Sequence, residues 1–212
     1  SKTVQGIISE SADNIVSVIH RSNKIYSDVF RGLAKQDKAQ LKKSKKGVAK
    51  LDAEIEELRD SIFFFIKSLD ETSVRGSSFY ITVLAYLTDI AQSLEFISKK
   101  SYKHVNNNHK PLRYNQITDL REIDDLLENF LKEIEEIFAN RKLDQIQKIV
   151  EHKEEVLAKL SEKIEKQVKR TRTEESSPKN TTLYFNLLLE TKDLVNAVMN
   201  LISEYNSSYK KV

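Results

Sequence analysis

Apolar residues recur three and four positions apart along almost the whole chain, with little of the strict alternation that marks strands, so the pattern predicts one helix after another. The first runs from about Thr3 to Leu33, with Ile15, Val18, Ile19, Ile25, Tyr26, Val29 and Phe30 as its inward stripe. The second spans about Asp37 to Asp70, where Leu51, Ile55, Leu58, Ile62, Phe65, Ile66 and Leu69 form a seam at heptad-like spacing. Gly76, Ser77 and Ser78 then read as a turn. A third helix, Ser77 to Val105, has an apolar arc wide enough to touch neighbours on more than one side, which marks it as central. The polar stretch Asn106 to Pro111 ends it and is the strongest internal break in the chain. Asn115 is placed to N-cap a fourth helix that ends near Ala139, and a fifth follows from Leu143 to Thr171. Ser176-Ser177-Pro178 opens a sixth, to about Tyr205, with a serine N-cap and proline at the first helical position, where its missing N–H costs nothing.

These helices repeat. Shifting by 104 positions lays the sixth on the third and matches Tyr80 with Tyr184, Leu84 with Leu188 and Asp89 with Asp193. The fifth lies on the second at 102, through Ile55 with Leu157 and Ile62 with Ile164, and the fourth on the first at 108, through Ile15 with Ile123 and Ile19 with Leu127. Nearly constant offsets point to a duplicated three-helix unit, residues 1–109 and 110–212, together one domain. The expected fold is therefore all-α, two tandem antiparallel three-helix bundles. The recurrence of Tyr80 and Asp89 as Tyr184 and Asp193 goes beyond apolar patterning. An aspartate among apolar positions is costly unless it is paired or solvated.

Composition agrees with long elements and few turns: Gly occurs 4 times, Pro twice, and 32% of residues are charged. Cysteine is absent, which excludes disulfide staples and thiolate metal sites and fits a reducing compartment, so a cytoplasmic location is expected. The longest apolar run, Ile62 to Ile66, is far short of the roughly 20 residues that cross a bilayer. The chain starts Ser1-Lys2-Thr3 without Met, which hints at a sequence trimmed from a longer protein, and in that case a membrane portion could stand outside it.

Charge is uneven. Residues 1–112 hold 18 Lys and Arg against 13 Asp and Glu, and residues 113–212 hold 17 against 19. Lys42, Lys43, Lys45 and Lys46 form the dense centre of the basic excess, a pattern that suits an anionic membrane surface and equally a solvated helix face. With no aromatic residues between the lysines, nucleic acid is not an expected partner. His104 and His109 stand about 140° apart around a helix, at roughly 100° per residue, so they share a metal only if the helix has already ended. Glu122, Asp124, Asp125 and Glu128 have one-turn spacings that suit either a divalent cation or a solvated face. Gly-rich phosphate loops, Gly-x-Ser-x-Gly and His-Glu-x-x-His are all absent, so no enzyme activity is expected.

Three stretches carry a resemblance: Phe64 to Glu71, Leu94 to His109, and Arg172 to Phe185 leading into Leu188 to Leu194. Together with the tandem three-helix units they resemble the phosphate-uptake regulator PhoU. They are most similar to the carboxy-terminal cytoplasmic PhoU domain of bacterial sodium/phosphate symporters. The resemblance implies a non-enzymatic cytoplasmic domain, tethered at the inner face of the plasma membrane, that controls phosphate transport through protein contacts. A stand-alone PhoU-like regulator is the alternative, and a generic helical scaffold or metal-binding bundle is a third reading. The implied partners are the membrane portion of a phosphate transporter and phosphate-signalling proteins, with a homodimer as the commonest symmetric assembly. PhoU proteins often hold iron or zinc through Glu-x-x-x-Asp in the third helix of each unit. Here Ala85 precedes Asp89 and Leu189 precedes Asp193 by four positions, so no metal or other cofactor is expected. Contact surfaces are expected where loops sit on a rigid scaffold, at Asn106, Asn107, Asn108 and His109 and at Lys179 and Asn180.

Overall fold

In the computed structural model, which describes residues 4–66, 71–173 and 177–210, six α-helices account for nearly all of the chain. They are α1 (Val4–Lys35), α2 (Lys38–Ile66), α3 (Glu71–Asn106), α4 (Tyr114–Ala139), α5 (Ile146–Thr173) and α6 (Pro178–Lys210), with a 3-10 turn (Leu143–Gln145) leading into α5. No strand occurs among the described residues, and no helix is long and apolar enough to cross a membrane. The all-helical, two-bundle architecture read from periodicity is the one found.

The first three helices pack on one another, and α5 packs on α4 and α6. The two sets meet through α1 against α4 and α3 against α6. Both pairs are antiparallel: Asp13, His20 and Ser27 along α1 meet Arg141, Glu135 and Asp124 in reverse order. Antiparallel pairing of repeat-equivalent helices places an approximate dyad between the units. The apolar arc of α3 is wide because it faces α1, α2 and α6 at once. Its buried residues include Phe79, Tyr80, Val83, Leu84, Leu87, Ile90, Ala91, Leu94 and Ile97. At one end of the seam Tyr205 of α6 sits edge-on to Phe79 of α3 and Phe138 of α4, with centroids 5.5 and 4.8 Å apart.

Helix ends show how four glycines suffice. α1, α3 and α4 each finish in a Schellman turn whose left-handed residue is not glycine: Gln36 (φ 53°), Asn108 (φ 56°) and Arg141 (φ 55°). In each, the next N–H reaches back five residues: Asp37 to Gly32, His109 to His104 and Lys142 to Ile137. α6 starts as expected, Ser177 capping with Pro178 as first helical residue; the Asn180 N–H points at Ser177 Oγ at 3.4 Å.

Two expected boundaries move. Gly76, Ser77 and Ser78 lie inside α3, not in a turn, with Gly76 and Ser77 buried, because small residues let a helix pack closely. The expected end of α2 at Asp70 falls in residues 67–70, outside the described residues. α4 is capped at Arg113 and not at Asn115, since Gln116 Oε1 accepts the Arg113 N–H at 3.0 Å and draws the helix start two residues earlier.

Candidate functional site

The junction between α3 and α4 is built on that Schellman turn. Asn107 and Asn108 are exposed at its tip, Asn108 supplying the left-handed backbone that asparagine tolerates better than most residues. Just behind, α3 has ended, so the His104 and His109 rings come together at 5.2 Å between centroids. The buried His104 donates from Nε2 to the Lys110 carbonyl at 2.8 Å. Burial pushes its pKa below the ordinary histidine value, against the opposing effect of that carbonyl. Asn180 at the start of α6 is buried and donates to the Pro111 carbonyl at 2.7 Å. His109 and Asn180 are thus brought to one place, together with His104. Asn106, Asn107, Asn108 and Lys179 are exposed around it.

The recurrent tyrosines do equivalent work. Tyr80 of α3 accepts from Asn14 Nδ2 of α1 at 2.5 Å, and Tyr184 of α6 donates to Asp119 Oδ2 of α4 at 3.1 Å. These pairs align Asn14 with Asp119, an offset of 105 where the apolar stripe suggested 108. Three residues is close to one turn, so both registers keep the apolar face inward. In the second unit the pair grows into a buried network. Arg170 Nη1 meets Asp119 at 2.8 Å, Lys163 Nζ at 3.4 Å and Lys166 Nζ at 3.6 Å. Lys163 also reaches Glu122 at 2.6 Å. Burial would raise the Asp119 pKa, but the Arg170 hydrogen bond and the charges of Arg170, Lys163 and Lys166 outweigh it and hold the carboxyl below its usual range. Burial, reinforced by Asp119, pushes the Tyr184 phenol up.

Asp89 and Asp193 lie elsewhere, both exposed on the outer surface, with Ala85 and Leu189 exposed one turn before them. Glu190 beside Asp193 is half-buried, and its pKa is raised by burial despite a hydrogen bond with Ser93 of α3. Asp89 has no second carboxylate one turn before it, and Glu190 beside Asp193 is the nearest approach to the paired carboxylates that bridging of iron or zinc needs.

Several polar contacts between the units were not anticipated. Ser27 Oγ donates to the buried Asp124 at 2.8 Å, and the buried Tyr26 hydroxyl meets Thr191 Oγ1 at 2.8 Å. Asp124, Asp125 and Glu128 are close enough together to ligate a cation, although Asp124 already serves as partner to Ser27. Beside them an open groove of about 270 Å³ runs between α1 and α4, lined by His20, Asn23, Ser27 and Glu128. The signal for the Asp119 network was present: Gln116 and Asp119 interrupt the inward stripe of α4, and Lys163 and Gln167 interrupt that of α5 at facing positions. Of the lysine run, Lys42, Lys43 and Lys46 are exposed on α2, while Lys45 is half-buried with its ammonium 4.4 Å from the Tyr102 ring centroid on α3.

Six long helices in two dyad-related units, joined through their first and third members, define a PhoU-type helical bundle. The crystal structure of the phosphate transport system regulatory protein PhoU from Streptococcus pneumoniae superposes with a TM-score of 0.76 at 12% identity, over 96% of this chain and 95% of that one. PhoU from Pseudomonas aeruginosa gives 0.78 at 11% identity, over 98% and 99%. No protein-family model and no curated protein matches the sequence.

Proposed function

We propose that this protein is a PhoU-like regulator of phosphate uptake that acts through protein contacts, without catalysis, in the cytoplasm. The observation that carries the reading is the overlap of nearly the whole chain with nearly the whole of two PhoU structures. Residues 1–109 and 110–212 then act as the two halves of one scaffold. The membrane portion of a phosphate transporter is the main partner, and phosphate-signalling proteins are further ones. The contact surface is the α3–α4 junction with the start of α6. Exposed Asn106, Asn107, Asn108 and Lys179 touch the partner, while Asn180 and His109 hold the junction in shape.

Deleting the gene in its native cell and comparing phosphate uptake under replete and starved growth tests this. Uptake that no longer falls when phosphate is plentiful, restored by the wild-type chain and not by a variant carrying Asn107→Ala, Asn108→Ala and Lys179→Ala, is the expected result. Uptake control unchanged by the deletion would sink the reading. A second reading, the cytoplasmic domain of a sodium/phosphate symporter, is favoured by the sequence resemblance in Leu94 to His109 and Arg172 to Leu194. It requires apolar segments of about 20 residues in the same reading frame, which genomic sequence decides directly. Sedimentation of the purified chain tests the homodimer.

A further inference from the structure

The sequence shows a lysine run in α2, but the fold shows that the run is only half of a larger surface. α2 and α3 are antiparallel neighbours, tied by Arg59 to Thr88 at one level and by Lys45 over Tyr102 at another. The amino-terminal half of α2 therefore lies beside the carboxy-terminal third of α3. Segments 31–50 and 96–113, which meet there, contain thirteen Lys and Arg and a single acidic residue, Asp37. Lys42, Lys43 and Lys46 on α2 and Lys99, Lys100 and Lys103 on α3 are all exposed. Of these six, only Lys99 has a carboxylate within ion-pairing distance among the described residues, Glu95 one turn back at 2.5 Å. Farther along α2 the sign reverses, with Asp52, Glu54, Glu56, Glu57 and Asp60 within nine residues. The excess of cations thus lies at one end of the first unit.

We infer that this basic end is a docking surface for an anionic phospholipid bilayer, bound by charge alone. The chemistry of the face selects that occupant. Eleven of the thirteen cations are lysines, compact point charges that suit a diffuse sheet of headgroups, whereas defined protein or base recognition favours the forked guanidinium of arginine. From Lys38 to Lys50 the α2 portion alone extends about 20 Å at 1.5 Å per residue, broad enough to lie on a surface. Of the exposed large apolar side chains among the described residues, Phe63, Val74, Val168 and Leu189 lie outside these two segments, and Tyr114 follows directly on Arg113 at the end of the second. The lysine face itself, residues 38–50 and 99–103, thus carries no exposed large apolar wedge for insertion into the acyl region and no hot-spot anchor for a protein partner. Tyr102, the aromatic ring at the centre of the face, is half-buried and covered by Lys45, so it offers no free platform for stacking nucleobases. The acidic half of α2 is repelled by the same surface, which fixes the orientation of the chain. This inference is independent of the proposed regulatory role, because vesicle binding is measured with the chain alone.

Flotation of the full chain with vesicles of phosphatidylcholine, with and without phosphatidylglycerol, tests it. Binding is expected only to the anionic vesicles and to fall steeply with added salt. Each lysine close to an anionic surface is worth about fivefold in partitioning, so Lys42→Gln, Lys43→Gln and Lys46→Gln together should weaken binding roughly a hundredfold. Lys100→Gln with Lys103→Gln should weaken it about twenty-five-fold. The equally charged control Lys148→Gln, Lys169→Gln and Lys192→Gln, on other helices, should bind like wild type. Unfolding midpoints matching wild type establish that the exposed substitutions leave the fold intact, and the salt dependence of the wild-type chain needs no variant at all. Equal binding to neutral vesicles, equal losses in the control, or tighter binding to duplex DNA than to anionic vesicles at the same ionic strength would each overturn the inference. So would displacement by inorganic phosphate beyond that caused by chloride of matched ionic strength, which would mark a discrete phosphate site.

Discussion

The Tyr184 hydroxyl on α6 donates to Asp119 Oδ2 on α4 at 3.1 Å, so the tyrosine that recurs between the two units ends on a carboxylate already engaged by Arg170 and Lys163. Tyr184→Phe removes one hydrogen bond and should cost about 1 kcal/mol. Asp119→Ala leaves the Lys163 ammonium, in a residue only 3% exposed, without its buried counter-charge and should cost about 3–5 kcal/mol. Urea denaturation of the two variants separates them. Near-equal losses would mean that Lys163 relies on Glu122 alone. Because the Asp119 pKa is lowered in the folded state, its contribution is present above the unfolded value near pH 4 and is lost as pH falls through the lower folded value. Asp119→Asn should therefore flatten the acid limb of the stability curve.

Asp124 behaves in the opposite sense. Burial raises its pKa, and Glu128 and Asp125 add to the rise, while Ser27 donates to it across the α1–α4 seam. A raised folded value means that the folded state binds more protons, so stability falls as pH climbs from the unfolded pKa near 4 through the folded one. Asp124→Asn keeps an acceptor for Ser27 and removes the buried charge. It should be more stable than wild type at pH 7, with the advantage vanishing below about pH 4. Thermal melts across that range check the sign, and a variant less stable at pH 7 would show that the charge is needed where it stands.

Most of the helices and the inward stripes were legible in the apolar spacing, because a 3.6-residue period survives any detail of packing. Ser177-Pro178 was legible for the same reason, being local chemistry. Gly76 was misread as a turn: composition cannot tell a glycine that breaks a helix from one buried inside α3. The polar core was harder still. Asp119, Lys163 and Arg170 are 51 or fewer residues apart in sequence, yet only the antiparallel register of α4 and α5 turns them into one network. The recurrent Tyr80 and Tyr184 were found by self-comparison, but their partners, Asn14 and Asp119, differ in chemistry and were invisible to it. The basic face was half-legible: the α2 lysines are contiguous, whereas Lys99, Lys100 and Lys103 join them only through the pairing of α2 with α3.

The α1–α2 corner depends on a close approach. A methyl group at Gly32 would come within 2.9 Å of Leu41 Cγ, and Leu41 is fully buried. Replacing a helical glycine with alanine ordinarily gains up to about 1 kcal/mol, but here it forces two helices apart. Overpacking of this kind costs about 1–3 kcal/mol, so Gly32→Ala should be net destabilising. A double variant with Leu41→Ala should recover none of the lost core burial but should remove the clash, making the two substitutions non-additive. Additive losses in denaturant titration would show that no clash exists.

Gln36 carries the clearest removable strain in the backbone. It ends α1 at φ 53°, with Asp37 N–H bonded to the Gly32 carbonyl at 2.8 Å, and its side chain is exposed. A side chain bearing Cβ in the left-handed region costs roughly 1–2 kcal/mol, which glycine escapes, though glycine gives back part of that through its freer unfolded state. Gln36→Gly should therefore stabilise the protein by about 0.5–1 kcal/mol. The other two Schellman positions serve as internal controls. Asn108 tolerates the same backbone through its short polar side chain, so Asn108→Gly should gain less. Arg141 uses its guanidinium to bond the Phe138 carbonyl at 2.5 Å and Asp13 of α1 at 2.8 Å, so Arg141→Gly should lose those bonds and gain nothing. The order Gln36→Gly above Asn108→Gly above Arg141→Gly in melting temperature is the expected outcome. If Arg141→Gly proved the most stabilising, the bridge from α4 to α1 would contribute less than the backbone strain it accompanies.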